Sequence, residues 1–272
     1  MQSSRRDPGI FGVAGSKPDD MTGGKDMIRS RRSRKIGKLD IVKILAAAFG
    51  YTRYFEITTG MTGGVHAEAR RAGFADCRRL VYRLDYCPKA DGEPIDFMVP
   101  GEDTTDTVAE IRGQGFEFDI ALVDPHHTYA CSIRDLKDTY SLIRPGGALV
   151  VHDCDPPNAE IASPEFIEGA WCGVTYRAFL DFVRGNDEID YFTVDADYGC
   201  GVILKRPPRH GPRRLRDAID RALTRATESE LTSQWFAAGR DDKAAFDFFR
   251  SNRRRLLRLT KPARFLSKYR RS

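Results

Sequence analysis

At 272 residues, 41% of them hydrophobic, the chain can bury one sizeable α/β core with appendages. It contains no apolar run of about 18 residues, which excludes a bilayer-spanning helix, and MQSSRRDPGIFGVAGSKPDD lacks the apolar stretch of a secretory signal. The net charge of +5 is the balance of +5 over residues 1–40, −11 over 41–208 and +11 over 209–272, so an acidic core domain between basic ends is expected.

Residues 1–37 mix Ser, Arg, Gly, Pro and Asp without a sustained period and read as a disordered basic arm. Gly12-Val-Ala-Gly15-Ser16-Lys17 has neither the spacing nor the preceding strand of a phosphate-binding loop. The six cysteines form no CxxC pair, which points to free thiols in a reducing cytoplasm.

From Asp40 the pattern becomes periodic. Asp40 is placed to cap a helix with Ile41, Ile44, Leu45 and Phe49 on its apolar face, ending at Gly50. Arg53–Thr58, Leu80–Leu84, Ile95–Val99, Phe118–Val123 and Ala148–Val151 read as strands. Val65–Ala72, Thr105–Arg112 and Cys131–Ile143 carry helical spacing between them. Such alternation implies βαβ units and a parallel sheet covered on both faces. A helix over Gly173–Val183 follows, then strands Tyr191–Val194 and Gly201–Lys205, joined too closely for anything but an antiparallel hairpin. From Pro207 onward, basic segments with helical apolar spacing (Leu215, Ile219, Leu223, then Phe246, Phe249, Leu256, Leu257) read as an extension able to dock or to pair. The expected organisation is an arm over 1–37, a Rossmann-like domain over 38–206 and a basic helical extension over 207–272.

In an open parallel sheet, ligands bind where the strands end. After the first strand, Glu56 and the turn Gly60-Met-Thr-Gly63-Gly64 offer an acid and a close backbone approach. After the second, Asp85 suits two ribose hydroxyls, or is a solvated loop carboxylate. After the third, Glu102 or Asp103 can accept from an adenine amino group or favour a helix start. Asp124 closes the fourth strand and His152-Asp153 the fifth, with His126-His127 just after Asp124. Carboxylates and imidazoles converging there suit a divalent metal or a general base beside a nucleophile. Asp124, His127 and Asp153 are the catalytic candidates; Asp124, His152 and Asp153 are the metal-ligand candidates. At most one of His126 and His127 is expected to face the site. Asp155-Pro156-Pro157-Asn158 approaches the [DN]PP[YFW] signature of base-modifying amino-methyltransferases, but lacks the aromatic and follows the wrong strand.

The segment Val123-Asp124-Pro125-His126-His127-Thr128-Tyr129, with Arg134-Asp135-Leu136, Pro145-Gly146-Gly147 and His152-Asp153, resembles the Methyltransferase-24-like branch of the class I S-adenosylmethionine-dependent methyltransferases. Trp171–Phe179 and Asp195–Ile203 are similar to the same branch, and the resemblance spans about Lys38 to Lys205. It implies a class I sheet: five parallel βα units and a terminal antiparallel hairpin. It further implies S-adenosylmethionine bound by Glu56 and Gly60, with Asp85 on the ribose and Glu102 or Asp103 near adenine. Metal-dependent relatives place Mg2+ or another divalent cation on positions matching Asp124, His152 and Asp153. The first loop departs from the family's E-x-G-x-G-x-G, with Thr58 and Thr62 at two glycine positions, and Pro125 replaces a frequent glycine.

The expected activity is methyl transfer to an oxygen of a small or saccharide-type acceptor, with or without a metal. The alternative is a non-catalytic, degenerate Rossmann module whose basic ends bind an anionic partner or another copy of the chain. A nicotinamide-dependent dehydrogenase would need the GxGxxG turn, which is missing.

Overall fold

The computed structural model describes residues 36–59, 63–82, 93–99, 101–207, 228–238 and 241–270. The residues expected as a disordered arm, up to position 35, lie outside these. So do Gly60, Asp85 and the apolar positions Leu215, Ile219 and Leu223.

Helix α1 (Lys38–Phe49) leads into strand β1 (Arg53–Thr58), then α2 (Gly64–Arg71), β2 (Asp76–Val81), β3 (Phe97–Met98), α3 (Thr105–Gly113), β4 (Phe118–Asp124), α4 (Tyr129–Leu142), β5 (Ile143–Val151), α5 (Thr175–Arg184), β6 (Ile189–Val194) and β7 (Cys200–Lys205). Helical residues 228–238 (α6), α7 (Asp242–Leu256), β8 (Leu259–Thr260) and α8 (Pro262–Tyr269) complete the described chain. The strands form one sheet in the order β3-β2-β1-β4-β5-β7-β6-β8. The first five are mutually parallel, and β7 runs antiparallel to both β5 and β6. Because β6 therefore runs with the parallel strands, its hairpin turn to β7 lies at the same carboxyl edge as the ends of β1, β4 and β5.

Side chains alternate across the sheet and feed two cores. On one face Phe55, Ile57, Phe118, Val123, Leu149 and Val151 pack with residues from α3, α4 and α5. On the other, Tyr54, Ile120, Leu122, Val150 and Val202 pack under Ile41, Val42 and Leu45 of α1 and Phe265 of α8. β4 is buried up to Asp124 and β5 from Gly147 to Val151, as their apolar runs require.

Two sequence expectations are corrected in position. Asp40 is not the residue ahead of α1. The helix starts at Lys38, and the Asp40 carboxylate, one turn in, accepts the Gly37 backbone N–H at 3.1 Å, so Val42 and Ala46 join the buried face while Phe49 is 46% exposed. The second strand starts four residues earlier than its apolar run. Arg78 keeps its charge paired, to Asp76 at 2.8 Å and Asp96 at 3.0 Å, while Arg79 is buried beside Glu56 on β1. The basic C-terminal segment, read from its apolar spacing as able to dock or to pair, docks over its described part. β8 extends the sheet beside β6, and Trp235, Phe249, Leu256, Leu257 and Phe265 are fully buried in the two cores.

Candidate functional site

The carboxyl edge gathers the polar residues that close the strands. Val123 pairs with Val151 across β4 and β5, and the His152 N–H continues the ladder to the Val123 carbonyl at 3.0 Å. That register sets Asp124 beside His152, and His152 Nδ1 lies 3.2 Å from Asp124 Oδ1. Asp153 adopts φ 59°, a left-handed conformation that few residues other than Gly, Asn and Asp take. This turn ends the strand, and Asp153 Oδ2 comes within 3.0 Å of His152 Nδ1 and 3.1 Å of His127 Nε2. Cys172 donates its thiol to Asp153 Oδ1 at 3.3 Å. The His127 Nδ1 atom is buried and has no hydrogen-bond partner.

Of the two adjacent histidines, His127 joins the cluster. The His126 backbone N–H donates to the Tyr82 hydroxyl, and both imidazole rings meet the Trp171 indole edge-on, at 5.2 Å and 5.1 Å. Tyr82 in turn donates to the buried Asp135 at 2.6 Å, tying the end of β2 to α4. The Asp135 of the Arg134-Asp135-Leu136 motif therefore braces the loop that carries His127.

Two members, Lys38 and Asp197, were not among the candidates named from the sequence. Lys38, at the first turn of α1, places its ammonium 2.7 Å from Asp124 Oδ2. Asp197, in the β6–β7 turn, accepts the Lys38 backbone N–H at 3.0 Å and lies 3.4 Å from His152 Nε2. Asp197, Tyr198 and Gly199 all have positive φ, and a Cβ on Gly199 would lie 2.4 Å from the Asp155 side chain. Only glycine allows that close approach, through which the turn pairs with the strand end: Cys154 N–H to the Gly199 carbonyl at 2.9 Å, Asp155 N–H to the Tyr198 carbonyl at 2.7 Å. Asp155 is itself buried and takes both guanidinium arms of Arg253 on α7. The DPP run is a structural anchor here.

Charge partners shift these groups strongly. Burial would raise the Asp124 carboxyl, but Lys38 and His152 hold it well below the usual carboxylate range. Burial likewise opposes ionisation of Asp153, yet hydrogen bonds from His127 and His152 bring it down to about 2. The His152 imidazole is pushed well above its ordinary value by Asp124, Asp153 and Asp197, against its own burial. Glu56 behaves oppositely. Burial lifts its carboxyl to about 7 despite the Tyr54 hydroxyl, which donates to it at 2.9 Å, and the nearby Arg79 charge.

The remaining expected binding residues are spread along the edge. Glu56 is on β1, on the same face as Tyr54, and is 3% exposed. Glu102 accepts from the Cys131 thiol at 3.4 Å, beside the start of α4. Asp103 is exposed, and its carboxylate accepts the Thr105 backbone N–H at 3.0 Å, so it serves the start of α3.

Among the described residues, Asp124, His152 and Asp153 form one group whose ligand atoms lie within 4.8 Å of one another. In kind, two carboxylates and an imidazole suit a divalent cation. As arranged, they do not fit one. Each oxygen of Asp124 and Asp153 already faces a nitrogen or thiol of the chain, and the Lys38 ammonium sits where a metal's charge would be needed.

No family model matches the chain, and no curated protein matches its sequence. Solved structures do match. The O-methyltransferase TomG from Streptomyces achromogenes, in complex with SAM, is 18% identical over 62% of this chain and 79% of its own, with a TM-score of 0.45. An O-methyltransferase from Bacillus cereus in complex with SAH is 12% identical over 64% and 84%, TM-score 0.44. The SAH-bound methyltransferase PaMTH1 from Podospora anserina is 16% identical over 62% and 78%, TM-score 0.42. The sheet order, with its reversed seventh strand, decides the architecture. The fold is a Rossmann-like α/β sheet covered by helices on both faces. In this sheet β1 and β4 lie side by side while their connections diverge to opposite flanks, which makes the edge at Glu56 and Asp124 the switch point.

Proposed function

We propose that the protein transfers a methyl group from S-adenosylmethionine to a hydroxyl oxygen of a small or saccharide-type acceptor. The observation that carries this reading is the His127–Asp153 pair at the carboxyl edge, one strand away from the switch point. A carboxylate holding one imidazole nitrogen fixes the tautomer and leaves the other as a base. Here Asp153 takes the Nε2 side, and Nδ1 keeps a lone pair with no other partner. The motif string around Asp124, His127 and Asp153 supports the Methyltransferase-24-like branch.

The described residues suit the cofactor in charge. A buried carboxyl at about 7, such as Glu56, would be ionised by an incoming ammonium like that of the methionine moiety. Glu102 lies nearest the start of α4, where a nucleoside would be met; Gly60 and Asp85 complete the proposed cofactor set. When bound, S-adenosylmethionine supplies a sulfonium methyl that an oxygen lone pair displaces, the carbon–sulfur electrons returning to sulfur. His127 accepts the acceptor's hydroxyl proton, and Asp153 stabilises the imidazolium that results. Asp124 and His152, held by Lys38 and Asp197, keep the edge rigid and charged so that little reorganisation accompanies transfer. Trp171 packs against the His127 ring and limits water at the base.

The test is methyl transfer from radiolabelled S-adenosylmethionine to a panel of hydroxylated metabolites. Wild type is expected to label at least one acceptor class, and His127→Asn to lower the rate by about 10²–10⁴-fold with cofactor affinity retained. Equal rates in the two proteins would remove His127 from the mechanism.

A further inference from the structure

We propose that Lys38 is the resident cation of this site, taking the place a divalent metal would occupy and keeping such a metal out. Every carboxylate oxygen of Asp124 and Asp153 faces a group of the chain itself. Asp124 Oδ2 faces the Lys38 ammonium at 2.7 Å and Oδ1 faces His152 Nδ1 at 3.2 Å. Asp153 Oδ2 faces His152 Nδ1 at 3.0 Å and His127 Nε2 at 3.1 Å, and its Oδ1 faces the Cys172 thiol at 3.3 Å. Asp197 Oδ2 faces the Lys38 backbone N–H at 3.0 Å and His152 Nε2 at 3.4 Å. Three carboxylates are met by one lysine and two imidazoles, all from the chain itself. His152 Nδ1, set between two carboxylates, stands as a donor, whereas a metal ligand would have to present a lone pair. Octahedral metals also demand free oxygens in a set geometry, and here those oxygens are taken.

The lysine is built into place. Its backbone is pinned by Asp197, and the preceding Gly37 N–H by Asp40 at 3.1 Å. One turn on, Ile41, Val42 and Leu45 are completely buried against the sheet. The anchored backbone holds the ammonium within reach of Asp124. A fixed ammonium a few ångströms from a developing charge does what a Lewis acid's charge would do, without a site for exchange. It also leaves Asp124 unable to act as a base, so the proton passes to His127. This catalytic half rests on the methyl-transfer reading above; the exclusion of a metal does not.

The experiment titrates Mn2+ into full-length wild type, Lys38→Met and Lys38→Arg, reading free Mn2+ by electron paramagnetic resonance without cofactor or acceptor. Circular dichroism melts run alongside. Lys38→Met keeps the apolar stem and removes the charge, so Asp124 and Asp153 should become available. It is expected to bind Mn2+ at least about tenfold more tightly than wild type, the scale of removing one unit charge next to an ion. Lys38→Arg restores the cation and should bind as weakly as wild type, which a merely structural role for the side chain would not predict. Equal Mn2+ binding by wild type and Lys38→Met, whether tight or weak, overturns the proposal. S-adenosylmethionine affinity, measured separately on the same proteins, reports on the methyl-transfer reading, so either inference can fail alone.

Discussion

Glu56 and Asp153 carry opposite burdens at the same sheet edge. Asp153 is surrounded by donors and stays ionised down to about pH 2, whereas Glu56 has a single hydroxyl donor and titrates near 7. The proposed cofactor ammonium pairs only with ionised Glu56. Affinity for S-adenosylmethionine should therefore rise by up to about tenfold per pH unit below 7 and level off above it. Glu56→Gln should flatten the profile; calorimetry between pH 5.5 and 8.5 checks this, and a wild-type profile already flat below 7 would detach Glu56 from the ammonium. Asp124, His127, His152 and Asp153 were legible because each follows an apolar strand, where the edge of a parallel sheet must lie. Lys38 and Asp197 were not legible. Lys38 sits at the junction with a lysine- and arginine-rich arm, and nothing in one sequence separates it from its neighbours. Asp197 is one of two aspartates in a hairpin turn, where aspartate is ordinary turn chemistry.

At the scale of elements, two buried contacts hold the site's loops. Asp135 on α4 accepts from Tyr82 at 2.6 Å and Thr104 at 3.3 Å, and burial raises its carboxyl to about 7. A carboxyl whose folded value lies above its unfolded one stabilises less as pH rises, here between about 4 and 7. Asp135→Asn keeps an acceptor for Tyr82 without ionising. It should gain stability over wild type across that window, by up to about 3 kcal/mol at pH 8, with little difference at pH 4. Urea melts at the two pH values measure it; a pH-independent difference would mean that Asp135 does not titrate there. The second contact joins α7 to the strand end. Arg253→Ala leaves the buried Asp155 carboxylate without its guanidinium and should cost about 2–4 kcal/mol, and Arg253→Lys less. The pair was hidden in sequence because its members are 98 residues apart. The misplaced second strand has a local cause. Asp76, Arg78 and Arg79 break the apolar pattern by which strands are recognised, and the structure satisfies them with Asp96 and a buried position opposite Glu56.

On the scale of the whole molecule, charge asymmetry suggested an acidic core domain between basic ends. Alternation of strands and helices correctly placed the parallel sheet and the terminal hairpin, since both follow from local pattern and linker length. Pattern alone did not reveal that the basic segment closes the sheet. The residues that do so, Trp235, Phe249, Leu256 and Phe265, are spread over separate short segments of the chain. Truncation after residue 207 should therefore expose both cores and give a protein without a cooperative melt. A truncated protein melting like the full chain would show that the extension is not needed for the fold. The central claim, that the edge between Glu56 and the His127–Asp153 pair receives S-adenosylmethionine, is tested most directly by calorimetric titration of the full chain with that cofactor at pH 8. We expect one site per chain with a dissociation constant on the order of micromolar, about −8 kcal/mol, unchanged in His127→Asn and weakened in Glu56→Gln. No heat of binding by a folded protein at millimolar cofactor, or binding indifferent to Glu56, would contradict the account.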